Sequence, residues 1–80
     1  MRIDKYLKIS RLIKRRTVAN EACDAGRITV NGKLVKASYD VKEGDIIEIK
    51  MGERVMKAEV LKVLEHALKN DAQSMYRVIN

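Results

Sequence analysis

Residues 26–36 read GRITVNGKLVK, and the period of the chain changes inside them. Arg27-Ile28-Thr29-Val30 alternates polar and apolar, Asn31-Gly32 follows, and Lys33-Leu34-Val35-Lys36 runs back. Asn-Gly between alternating segments is a strong hairpin signal, because the two-residue turn that matches strand twist needs positive φ at both central positions. Asn31 and Gly32 are therefore read as structural, serving the turn. Just upstream, Gly26 suits the left-handed residue that closes a helix. The stretch divides the chain into a helical part before residue 26 and a strand part after it.

Upstream, residues 3–13 carry a helical period. Ile3, Tyr6, Leu7, Ser10 and Ile13 share one arc of a 100° wheel, and Lys5, Lys8 and Arg11 form a row on the other side. Lys14, Arg15 and Arg16 interrupt the pattern as a turn. Thr17 to Ala25 reads as a second short helix, with Val18, Ala22 and Ala25 along its buried side, Ala19 and Cys23 beside them, and Asn20, Glu21 and Asp24 facing out. Downstream of residue 36, residues 37–45 read as a loop ending in a Glu43-Gly44-Asp45 turn. Ile46 to Lys50 is a third strand, Gly52-Glu53 a turn, Val55 to Leu64 a longer strand and Tyr76 to Ile79 a last one. Residues 65–75 fit a short helix or a loop equally. The expected class is α+β, two short N-terminal helices packed on a small antiparallel sheet. One domain over residues 1–80 is expected, with a core motif at about 2–50 and a strand extension over 51–80.

Charge is the most informative property. The 80 residues carry a formal net charge of +6. Residues 1–16 hold Arg2, Lys5, Lys8, Arg11, Lys14, Arg15 and Arg16 against a single acid, Asp4, while the other ten basic and ten acidic residues cancel. The whole net charge is thus one local feature, the electrostatic footprint of a polyanion site. The plainer explanation, a solvated helix face, would suit a chain whose excess charge was spread along its length.

Several function classes fall away. A domain of this size buries only about 60% of its unfolded surface, which leaves little chain for a closed catalytic pocket. One cysteine and one histidine cannot make a structural zinc site, so no metal or cofactor is expected; Cys23 reads as a small core residue, and His66 has no partner pattern for catalysis. No apolar run is long enough to span a bilayer, and the first ten residues do not read as a secretory signal, so a cytoplasmic protein is expected. A membrane surface is disfavoured because Trp and Phe are absent and the apolar arc of the first helix is needed inside. The second helix, acidic at Glu21 and Asp24, is a poor major-groove reader, which ranks a DNA-binding regulator low. Tyr6, Tyr39 and Tyr76 form no stacking row for single strands.

Residues 2–49, RIDKYLKISRLIKRRTVANEACDAGRITVNGKLVKASYDVKEGDIIEI, resemble the S4 RNA-binding domain. The marks are the Arg-Ile-Asp-Lys start, the basic turn ending at Arg16, Gly26-Arg27-Ile28, Val30 to Lys33, and Val41 to Asp45. Within that family the chain is similar to the short RqcP-like ribosome-associated quality-control factors and their heat-shock-protein-fifteen-like relatives. The long basic C-terminal extension of the heat-shock branch has no counterpart here, which favours the RqcP-like branch. The resemblance implies an alpha-L RNA-binding fold and a non-enzymatic factor on obstructed large ribosomal subunits. Its implied partners are 23S rRNA, peptidyl-tRNA and an RqcH-type tailing factor, with no small-molecule substrate. An RNA-targeting domain of an rRNA-modifying enzyme is the alternative; the 80 residues hold no room for the catalytic domain such enzymes need. Arg2 and Arg16 match RNA-contacting arginines of the family, and Asp4 an acid near them. Asp4 would either orient the two arginines or simply suit the positive end of the first helix. Lys5, Lys8, Arg11, Lys14 and Arg15 are assigned to phosphate from their charge and position alone.

Overall fold

A computed structural model describes residues 1–79. The element order is α1 (Ile3–Ile9), α2 (Arg16–Asp24), β1 (Ile28–Val30), β2 (Lys33–Leu34), β3 (Ile46–Met51), β4 (Arg54–Val60), α3 (Lys69–Ser74) and β5 (Tyr76–Val78). The five strands form one antiparallel sheet in the order β2-β1-β3-β4-β5. The architecture is the α+β arrangement expected from the pattern.

Strand alternation sets which face is dry. Val30, Ile47 and Ala58 stand opposite one another across three strands, as do Ile28, Ile49 and Met56. From these rows Ile28, Val30, Ile47 and Ile49 join Ile3, Tyr6 and Leu7 of α1 and Ala19, Ala22 and Cys23 of α2 in the core, together with Val60 and Met75. The alternate positions Thr29, Glu48 and Lys57 form a row on the opposite face. The hairpin turn has φ of 53° at Asn31 and 84° at Gly32, the pair of positive values its sequence demands. Asn31 does more than turn the chain. Its side chain accepts from the Ile46 N–H at 3.0 Å and donates to Asp45 at 3.1 Å, which fastens the hairpin to the start of β3.

Four expectations change. α1 stops at Ile9 rather than running to Ile13, because Arg11 takes a left-handed φ of 64° and its N–H turns back to the Lys8 carbonyl at 3.1 Å. Leu12 and Ile13 still pack against the core, so the apolar period there records burial without helix. α2 is rotated from its expected face: Ala19, Ala22 and Cys23 are buried, whereas Val18 and Ala25 are exposed. The rotation carries Asn20 inward, onto the carboxylate of Asp4. β2 covers only two of its four expected residues, since the chain turns through Lys36 to Tyr39. There the carbonyls of Tyr39 and Ala37 accept from the N–H groups of Ile3 and Asp4, donors that the first turn of α1 cannot satisfy itself. β4 ends at Val60 instead of Leu64. The Leu61 and Lys62 N–H groups then bond the Met75 carbonyl, and the buried Tyr6 hydroxyl donates to that same oxygen at 2.7 Å. Residues 69–74, within the segment that fitted helix or loop, are α3. Cys23 lies buried and its thiol is pushed up to about 11, first by burial and then by the charges of Asp4 and Asp24. Among the described residues no helix is long and apolar enough to cross a membrane.

Candidate nucleic-acid interface

The interface is organised by Asp4, a carboxylate in the first turn of α1 that is only 2% exposed. Arg2, the residue that caps α1, donates through Nε to Oδ1 and through Nη2 to Oδ2, both at 3.2 Å. Arg16, the first residue of α2, brings Nη2 to 3.4 Å from Oδ1. Asn20 Nδ2 donates to Oδ2 at 3.3 Å, and the Lys5 backbone N–H donates to Oδ1 at 2.7 Å. Burial by itself raises the carboxyl. The bonds from Asn20, Arg2 and Lys5 and the charge of Arg16 outweigh it and hold Asp4 below its ordinary value.

The two guanidiniums are treated differently from the acid that holds them. Their side chains are 50% and 48% exposed, so each keeps a free edge toward water. A guanidinium has five N–H donors in a rigid fork; Arg2 spends two of them on Asp4. Two positive groups on one negative group leave a local excess of charge, oriented and half-exposed. That is the geometry for accepting a phosphate bidentately.

A groove of about 800 Å³ adjoins this cluster and is lined by Lys5, Lys8, Arg11, Lys14 and Arg16, with Ile9 among them. Arg16 belongs to both the groove and the Asp4 cluster and joins them. The left-handed break at Arg11 means that this arginine does not continue the helical row of Lys5 and Lys8; the turn of residues 10–15 brings it and Lys14 to the groove instead. Arg15 sits exposed at the N-cap of α2, which carries no side-chain cap, and the first-turn N–H groups behind it favour an anion. Of the seven basic residues singled out, five line the groove, Arg2 flanks Asp4 and Arg15 caps α2.

A further wall of the groove comes from Glu65, His66 and Ala67, on the connection between β4 and α3. Glu65 accepts from Lys5 Nζ at 2.7 Å, and that bond and charge lower its carboxyl. Sequence reasoning passed over this wall and over Asn20. Asn20 was findable, since it lies four residues after Arg16 and so on the same face of α2. Residues 65–67 were not, because nothing local announces a contact sixty positions away. Among the described residues no cluster of His, Cys, Asp and Glu is fit to hold a metal. The arrangement is suited to binding a polyanion through oriented charge.

Comparison with known proteins is consistent across three kinds of likeness. A family model described as the S4 domain matches residues 1–47. The chain is 51% identical over 80 residues to the RQC P-site tRNA stabilizing factor of Streptococcus pneumoniae, covering 100% of this chain and 91% of that one. It is 46% identical to the factor of the same name from Bacillus subtilis, covering 99% of this chain and 92% of that one. A solved trimeric structure of Vibrio cholerae heat shock protein 15 superposes with a TM-score of 0.90 at 28% identity, covering 99% of this chain and 81% of that one.

Proposed function

This chain belongs to the S4 domain family, and from that premise we propose that it is a non-enzymatic RNA-binding factor of ribosome-associated quality control that steadies a tRNA in the P site. The observation that carries the reading is the Asp4 cluster: one buried carboxylate fixes Arg2 from the start of α1 and Arg16 from the start of α2, and Arg16 opens onto a groove of four further cations. The names of relatives matched over about nine-tenths of their length supply the ribosomal setting.

The mechanism needs no bond-making. Arg2 and Arg16 present preset forks to backbone phosphates, and each cation placed on a phosphate releases a condensed counterion, so affinity is gained without sequence readout. Lys5, Lys8, Arg11 and Lys14 extend the contact along the groove, Arg15 and the first turn of α2 add an anion-favouring end, and Asp4 orients the arginines without touching RNA. In this reading the protein works in the cytoplasm, bridging 23S rRNA and peptidyl-tRNA on an obstructed large subunit. Held there, the tRNA stays in place while an RqcH-type factor tails the stalled chain.

Sucrose-gradient sedimentation of the tagged protein, followed by crosslink mapping on the RNA, tests this. The expected result is co-migration with large subunits and crosslinks to both 23S rRNA and tRNA through residues 2–16. Migration at the top of the gradient under conditions that accumulate obstructed subunits would overturn the reading.

A further inference from the structure

The groove has one wall that its cations do not explain. Residues 65–67 lie outside the matched S4 segment, 1–47, yet they line the same groove as Lys5, Lys8 and Arg11. Glu65 is the only carboxylate among the lining residues, and it sits on Lys5 at 2.7 Å. A protein built only to attract phosphate would leave that lysine clear. We propose that Glu65 is a specificity-determining residue: it withholds Lys5 from plain phosphate backbone and accepts a hydrogen bond from RNA that presents a donor there, a ribose 2′-hydroxyl or a base amino group. The inference rests on the RNA-binding reading of the groove.

The argument follows from what a carboxylate can do. An ionised carboxylate only accepts hydrogen bonds. A phosphate that reaches Lys5 must share the ammonium with Glu65 or displace it, and in either case lies beside that negative charge. The gain of a new ion pair is offset by the loss of the old one and by repulsion, so this cation contributes little to indiscriminate binding. Selectivity arises because the wrong ligand meets a repulsive group as well as an attractive one. A ligand that offers Glu65 a donor changes the outcome, since the carboxylate then pairs with the ligand while Lys5 turns to phosphate. The 2′-hydroxyl, which RNA has and DNA lacks, is such a donor. Glu65 is 68% exposed, so the pair with Lys5 exchanges freely with solvent and is open to this competition.

The experiment is fluorescence-anisotropy titration of the full chain over a salt series, with a tRNA transcript and with single-stranded polythymidine methylated at N3, which has neither a 2′-hydroxyl nor a base hydrogen-bond donor. Wild type, Glu65→Gln and the control Glu43→Gln are compared; Glu43 is exposed on a turn and lines no part of the groove. In Glu65→Gln the polythymidine affinity is expected to rise severalfold and the slope of log K against log salt to steepen by about 0.7, one extra phosphate contact on a single strand. The tRNA affinity is expected to rise less, so the preference for tRNA narrows, while Glu43→Gln matches wild type. An unchanged polythymidine slope in Glu65→Gln beside intact tRNA binding overturns the selector alone. A wild-type chain with no preference for tRNA overturns the selector and the proposed function together.

Discussion

Asp4 keeps its negative charge in a place water barely reaches, because five donors or charges converge on two oxygens. Asp4→Asn keeps the size and removes that charge, leaving the donors of Arg2, Arg16 and Asn20 without it. A loss of about 1–3 kcal/mol at neutral pH is expected, the range for removing a charged partner from a buried network. The sign with pH follows from the lowered carboxyl. The folded value lies below the unfolded one, so the stabilisation is fully present above the ordinary carboxylate range, near pH 4, and is lost as pH falls through the folded value. Melting curves of wild type and Asp4→Asn should therefore converge on acidification; a gap that stays constant into acid would show that ionised Asp4 is not its source. Arg16 is the complementary case. Its guanidinium is half-exposed and Arg2 remains on Asp4 without it, so Arg16→Ala should cost about 1 kcal/mol or less. The same change should release the protein from large subunits in a gradient, and Arg16→Lys should restore binding only in part, since an ammonium lacks the fork. Normal melting with full co-sedimentation would remove Arg16 from the RNA surface.

The two helices and the turn between them act as one cationic wall, and salt should report on it. Each phosphate contact contributes roughly one unit to the slope of log K against log salt. Lys8→Ala, on the groove, should flatten that slope for tRNA by about 1, while Lys50→Ala, at the end of β3, should leave it unchanged. Equal slopes in the two would disperse the site over the surface. How far these elements could be read from sequence depended on the kind of signal each carries. Asn31-Gly32 specifies its turn through backbone sterics, which are local, and that hairpin stands as its residues demand. The helical period over residues 3–13 mixed two causes, helix in 3–9 and burial without helix at Leu12 and Ile13. The break at Arg11 has no glycine to mark it. The α2 wheel treated Val18 and the alanines as equivalent apolar positions, whereas the fold chose the face that sets Asn20 and Arg16 on Asp4 and lets small side chains meet α1. The basic residues were visible because charge clustering survives any error in helix bounds. The wall at residues 65–67 was invisible because only tertiary contact creates it.

At the scale of the whole molecule, we propose that residues 1–80 unfold as one unit, with no independent core in 2–50. Val60 and Met75 are buried in the same cluster as Ile3, Tyr6 and Leu7. A fragment ending at residue 50 would lose both, along with the strands β4 and β5 that continue the sheet. Such a fragment should give no cooperative melt by circular dichroism, whereas the full chain should melt in one transition that coincides by near- and far-ultraviolet signals. A folded fragment would split the domain at that boundary. The join is concentrated at one carbonyl oxygen, that of Met75, which receives the Tyr6 hydroxyl and the N–H groups of Leu61 and Lys62. This gives the chain a timetable. During translation the cationic N-terminal helices emerge first, but the atom that anchors α1 is made some seventy residues later. Until residue 75 clears the exit tunnel, the buried Tyr6 hydroxyl lacks its acceptor and α1 lacks one part of the core it packs against. The cationic face made by the first twenty residues is thus completed only when the segment carrying Met75, made last among the core residues, joins them.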